Sequence, residues 1–343
     1  MMSFWMYPFA LAFSLLGFSL LFISFAQLYI YKGKKNKIAR IFIVLLILSG
    51  LLCQLPIGVQ KGIGYLERLS AKSSLYENMG KLYEAIDQSR YNDLEKMTKE
   101  GVDLNAIIEG KYQTIIPLFI AINNNNYKMV SFLLENGADV NKIEAENRGK
   151  TPLIEAISGQ SNKKKCDFGM IKLLLENGAN AALEIKSDNN SNSNSNTALL
   201  EFSQYCNNTD VLKLLLEYKA DVNINNGRIL ETIISRGMAQ YVNQSEDSKI
   251  DSVKHIEILI DYGVDFNIKN DQGENTLIKM CYDMQFNHIS TKEALKILKI
   301  VAKNTSNIND VDNDGKSALD YLLANESTKE LAEYLIGNGA KKS

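Results

Sequence analysis

The chain has 343 residues, 45% of them hydrophobic, and a formal net charge of -2. That length supports a sizeable core, while the near-zero charge lacks the positive field that draws in phosphate backbones, so nucleic acid is not an expected partner. Two histidines (His255, His288) and four cysteines (Cys53, Cys166, Cys206, Cys281) show no zinc-ligand spacing, and no Gly-rich phosphate loop, nucleophile elbow or metal-binding helix occurs. The expectation is a protein without catalysis, cofactor, metal or small-molecule substrate.

Residues 9–30 carry no charge, and at 1.5 Å per residue a run of about 22 crosses a hydrocarbon layer of ~30 Å. No Lys or Arg precedes this run and it exceeds the apolar core of a signal peptide, which argues for a retained transmembrane helix. Residues 41–59 form a second apolar run, and the loop at 31–40 between the two carries Lys32, Lys34, Lys35, Lys37 and Arg40. Residues 1–60 are therefore predicted to be a transmembrane hairpin that meets the bilayer through residues 9–59, followed by a stalk at 61–79 and a further domain at 80–343. A short basic loop stays in the cytoplasm, which sends both termini to the far side of the membrane, the periplasm if the chain is bacterial and sits in the inner membrane. Lys61, Arg68 and Lys72 pull the other way, so a cytoplasmic repeat domain stays open as the alternative.

Beyond residue 80 one line of sequence recurs: LLENGADVN at Leu133–Asn141, LLENGANAA at Leu174–Ala182, LLEYKADVN at Leu215–Asn223 and LIDYGVDFN at Leu259–Asn267. Weaker copies begin at Met97, Val301 and Leu335, giving about seven units. Each copy follows a short apolar helix, beginning near Lys81, Ile116, Thr151, Thr197, Arg228, Asn275 and Ser317. Pro152 suits a first helical turn, Thr151 suits its cap, and Gly101, Gly137, Gly178 and Gly263 suit the left-handed exit of a second helix. Lys219 and Thr305 replace that glycine, so those turns are expected to be strained or differently closed.

Thr151, Pro152, Leu153 and Ala156, together with the Leu-Leu-x-x-Gly-Ala-Asp-Val-Asn ending, resemble the ankyrin family over roughly three quarters of the chain. The resemblance implies an all-α solenoid of about seven helix-turn-helix repeats, stabilised by nearest-neighbour stacking, that binds another protein through its concave face and hairpin tips. Inserts such as 161–169 and 244–251 are expected on the solvent side, and the Asn/Ser run at 187–196 as a mobile loop.

Aligned first helices put Glu84, Glu155, Glu201 and Glu231 at one position, with Ile120, Lys279 and Tyr321 filling it in the other units. In the family this helix lines the binding face, so the row predicts a partner with a basic, partly hydrophobic surface. Glutamate is also a good helix former on any wet surface, so the row alone does not make a site. Lys111, Tyr112, Glu144, Arg148, Lys269 and Asp271 are the corresponding tip candidates implied by the resemblance. Cys166 and Cys206 fall between paired helices of adjacent units. A bridge requires Cα atoms within about 7 Å, whereas stacked repeats usually hold equivalent positions further apart, so a disulfide and two free thiols both stand. Cys281 reads as core, and His255 and His288 as surface residues. Two functions fit: a tethered scaffold for a resident partner, or an immunity protein. Bacterial ankyrin proteins held at the inner membrane resemble those that neutralise toxins such as type VI secretion phospholipase effectors.

Overall fold

The chain divides into two compact units, Met1–Gly80 and Lys81–Ser343. The computed structural model describes residues 77, 79–106, 108–109, 114–143, 149–159, 166–185, 196–238, 251–285 and 291–343. The predicted transmembrane runs, the basic loop and nearly all of the stalk lie outside these residues. No helix among the described residues is long and apolar enough to cross a membrane.

The helices of the second unit pair in chain order. A first helix α1 at 79–87 is followed by α2 (Tyr91–Lys99), then α3 (Pro117–Asn123) with α4 (Tyr127–Glu135), and α5 (Pro152–Ser158) with α6 (Phe168–Glu176). The series continues with α7 (Ala198–Tyr205) and α8 (Thr209–Glu217), α9 (Ile224–Met238) and α10 (Ser252–Asp261), α11 (Thr276–Asp283) and α12 (Thr291–Asn304), and α13 (Ala318–Leu323) and α14 (Lys329–Gly337). These are seven repeats among the described residues. First helices pack on first helices in one layer and second helices on second helices in another. Among the described residues, paired extended structure lies at the hairpin tips, such as the antiparallel pairing of Ile108 with Ile115 and Glu109 with Thr114.

Local chemistry sets the ends of these elements. Thr151, Thr197 and Asn275 accept from the backbone N–H groups of Ile154, Leu200 and Ile278, and Ser317 forms a reciprocal capping box with Asp320. Second helices close the same way: the N–H of Ala138 donates to the Leu133 carbonyl and that of Gly137 to the Leu134 carbonyl. This closure needs a positive φ, 92° at Gly137, and Lys219 is held at 64° where a side chain costs about 1 kcal/mol. Thr305 escapes the strain because α12 runs on to Asn304, and both the amide and hydroxyl of Thr305 donate to the Val301 carbonyl. The fifth repeat enters its first helix through a left-handed run at Asn225, Asn226 and Gly227, so regular helix in α9 begins only after them.

The core lies between the two layers and between repeats. Leu133, Leu174, Leu215, Leu259 and Leu335, the leading leucines of the repeated line, are all fully buried. Each such burial contributes about 1.5–3 kcal/mol, which a single repeat standing alone could not supply.

Candidate functional site

The aligned row on the first helices is not uniform. Glu84 is well exposed and meets Arg90 at 3.4 Å. Ile120, Glu201, Glu231 and Lys279 are half-buried. Glu155 is 1% exposed and Tyr321 5% exposed, so these two point into the protein rather than toward a partner. The uniform wet row expected from alignment is corrected at both positions, each for its own reason.

Lys150, in the approach to α5, reaches back to place its Nζ 3.0 Å from Oε2 of Glu155 and 3.1 Å from Oγ of Ser158. This ion pair lets the carboxylate be buried between the flanking first helices. Oε1 of Glu155 meets no hydrogen-bond donor among the described residues. The side chain borders a cavity of about 20 Å³ lined also by Asn123, Asn125, Asp167 and Met170. Tyr321 turns inward because its hydroxyl donates to Asp312 while its ring stands edge-on to Tyr282, with centroids 5.3 Å apart. Burial and the Asp312 carboxylate push the Tyr321 hydroxyl pKa up; burial also works against the Asp312 carboxylate, but the bonds from Tyr321 and from the Lys316 and Asp314 backbone, with the Lys316 charge, hold it below the usual value.

Glu231 and Lys279 form a second polar knot. Burial raises the Glu231 pKa, opposed by the charge of Lys279. Burial works against the Lys279 ammonium, yet its hydrogen bond to Asp283 and the charges of Asp283, Glu274 and Glu231 outweigh that and hold its pKa above the ordinary lysine value. The break in the acidic row is thus locally neutralised. Of the tip candidates, Lys269 pairs with Asp310 at 2.9 Å, and the Asp271 carbonyl accepts from the Asn313 amide at 3.1 Å, so both join the tips of the sixth and seventh repeats. Lys111, Tyr112, Glu144 and Arg148 lie outside the described residues.

His255 is not a surface residue: it is 0% exposed and stands edge-on to Phe202, with ring centroids 5.5 Å apart. It shares one stripe of α10 with Ser252, Ile256 and Leu259, the i, i+3, i+4, i+7 spacing of an inward face. Burial pushes its pKa down to about 4, with Asp251 and the Asn207 backbone opposing. His288 lies outside the described residues, and Cys281 is buried in α11.

Cys166 and Cys206 are paired in the structure, with Cα atoms 5.7 Å apart. They are not equivalent positions. Cys166 immediately precedes the N-cap Asp167 of α6, whereas Cys206 is the C-cap of α7 in the next repeat, and this offset shortens the span between repeats.

Sequence reasoning passed over a row of asparagines that joins repeats. The Asn105 amide donates to the Gly137 carbonyl at 3.0 Å and accepts from the Asp139 N–H at 2.6 Å. Asn141 does the same with Gly178 and Asn180, Asn223 with Gly263 and Asp265, and Asn309 with Gly339 and Lys341. Asn267 accepts from the Ser306 amide and hydroxyl. The recurring final Asn of the repeated line was the available signal.

The family description "Ankyrin repeats (3 copies)" matches residues 82–181 and 118–226. Ankyrin repeat protein FPV031 of Fowlpox virus (strain NVSL) is 34% identical over 139 residues, which cover 40% of this chain and 35% of the viral protein. The B-cell lymphoma 3 protein homolog of Mus musculus is 32% identical over 94 residues, covering 27% of this chain and 19% of the mouse protein. The chain thus spans about a third and about a fifth of the lengths of these relatives. The human ASB11 ankyrin repeat domain shares the fold, with a TM-score of 0.50 at 19% identity over 76% of this chain and 99% of that domain.

Proposed function

We propose that the chain is an ankyrin-repeat protein that works as a membrane-tethered binding module, a reading supported by the ankyrin-repeat match over residues 82–226. Its partner is a protein with a basic, partly apolar surface that docks on the first-helix layer. The observation that carries this reading is the part of the aligned row that is not fully buried: Glu84, exposed, with Ile120, Glu201 and Glu231, half-buried, at one position on helices stacked in one layer. Like charge at this position on the first, fourth and fifth repeats favours a complementary extended partner and a salt-sensitive approach. Glu155 and Tyr321 act from beneath, by fixing the helices that carry the row.

The apolar runs at 9–30 and 41–59 supply the tether, and the basic loop between them supports a repeat domain on the far side of the membrane. The Cys166–Cys206 pair favours the same side, because disulfides persist outside the reducing cytoplasm. A far-side tethered binder also fits the second reading, an immunity protein that intercepts an incoming toxin near the bilayer, with a type VI phospholipase effector as the example.

The test is affinity capture on the full-length chain from its own cells, repeated with an E84Q/E201Q/E231Q variant. Binding about tenfold weaker with a shallower salt dependence is expected; equal affinity and equal salt slope would remove the row as a contact. A toxic neighbouring gene product suppressed by this chain would support the immunity reading, and capture of a resident membrane complex instead would support the scaffold.

A further inference from the structure

Between the third and fourth repeats the row of asparagine stitches is interrupted. Five of the six joints are spanned by an Asn side chain, from Asn105, Asn141, Asn223, Asn267 and Asn309. The equivalent position at the remaining joint is Ala182, which has no side-chain amide to donate or accept. By the pattern of its neighbours, that amide would have met the Lys219 carbonyl and the Asp221 N–H. Lys219 is also the residue forced into the left-handed region where the other second helices closed in this way carry glycine. The same joint is the one the Cys166–Cys206 bridge crosses, linking the start of α6 to the end of α7.

We propose that this bridge is a redox lock: it substitutes for the missing stitch, and its reduction loosens the array between the third and fourth repeats while leaving the other joints closed. In a solenoid, each interface contributes separately to cohesion, so a joint lacking one polar link opens before its neighbours. The chemistry is a thiol–disulfide exchange. A dithiol reductant passes two electrons to the sulfur–sulfur bond, two protons end on the Cys166 and Cys206 thiols, and the reductant closes its own disulfide. Opening there would split the row between Glu84 and Ile120 on one side and Glu201 and Glu231 on the other. A partner that spans the row would then feel the redox state of the joint.

The test is hydrogen exchange read by mass spectrometry on the full-length chain in membranes or detergent, with and without dithiothreitol. Reduction is expected to speed amide exchange at least about tenfold in α6 and α8, which face each other across the joint, with little change in α12 and α14. A C166S/C206S variant should show the fast pattern without reductant, and adding A182N to it should restore slow exchange by rebuilding the stitch. If the double-serine variant does not accumulate, the wild-type chain with and without reductant still decides the matter. Exchange that is unchanged on reduction, or raised equally at every joint, would overturn the lock. So would A182N without rescue, or alkylation of both Cys166 and Cys206 in the unreduced protein.

Discussion

His255 shows how a single buried ionisable side chain sets a pH limit. Its folded pKa of about 4 lies below the ordinary 6.5, so between those values the unfolded chain binds a proton that the folded chain refuses. Stability is therefore full above about pH 6.5 and is lost as pH falls toward 4, by about 3 kcal/mol from this group. Glu231, with a raised pKa, acts with the opposite sign, so the histidine is isolated by comparing the wild type with H255L. The urea midpoint of H255L should lose this acid-dependent component of the slope; a curve parallel to the wild type from pH 7 to 4.5 would refute the assignment.

Glu155 is the second residue whose environment decides its role. Removing Lys150 leaves an unpaired carboxylate in a 1% exposed site, and K150A should destabilise the fold by about 3 kcal/mol. Removing both charges should cost much less, so a K150A/E155L variant is expected to unfold at a higher urea concentration than K150A. Equal midpoints would mean that the pair is not electrostatically coupled.

At the scale of the element, the helix ends carry most of the legible information. Every second-helix exit but two has glycine in the expected place, and the exceptions separate cleanly: Lys219 is strained and Thr305 is absorbed by a longer helix. K219G should raise stability by about 1 kcal/mol in thermal or urea unfolding. A glycine at Thr305 should destabilise instead, because it loses the hydroxyl bond to the Val301 carbonyl and adds backbone freedom without relieving strain. Capping acts in the same range: T151A should cost about 1 kcal/mol by freeing the Ile154 amide.

For the whole molecule, cohesion is a sum over joints. N223A removes two hydrogen bonds at an intact joint and should lower stability by about 1–2 kcal/mol in urea unfolding, with the largest rise in amide exchange in the fourth and fifth repeats. Exchange that rises uniformly along the array would contradict independent joints. The orientation of the chain is tested by reporters fused after Ser343: an active periplasmic phosphatase fusion is expected, and a reporter active only in the cytoplasm would reverse the topology.

The sequence by itself determined the repeat count, the helix pairing and the turn positions, because these are local. Period, capping residue and exit glycine each act within a few residues of where they are read. Cys281 was assigned to the core on the same grounds, since it fills an apolar place in its own helix. His255 lies on the stripe of Ile256 and Leu259, so its burial is legible in the helical spacing even though it stands near the start of its helix. What the tertiary structure alone decided is which members of an aligned row face water. Glu84 and Glu155 occupy the same place in their helices, yet one is exposed and the other buried, because Lys150 and the neighbouring first helices surround only the second. The pairing of Cys166 with Cys206 was hidden for a related reason: the distance between a helix start in one repeat and a helix end in the next depends on how the repeats stack, which no local pattern encodes.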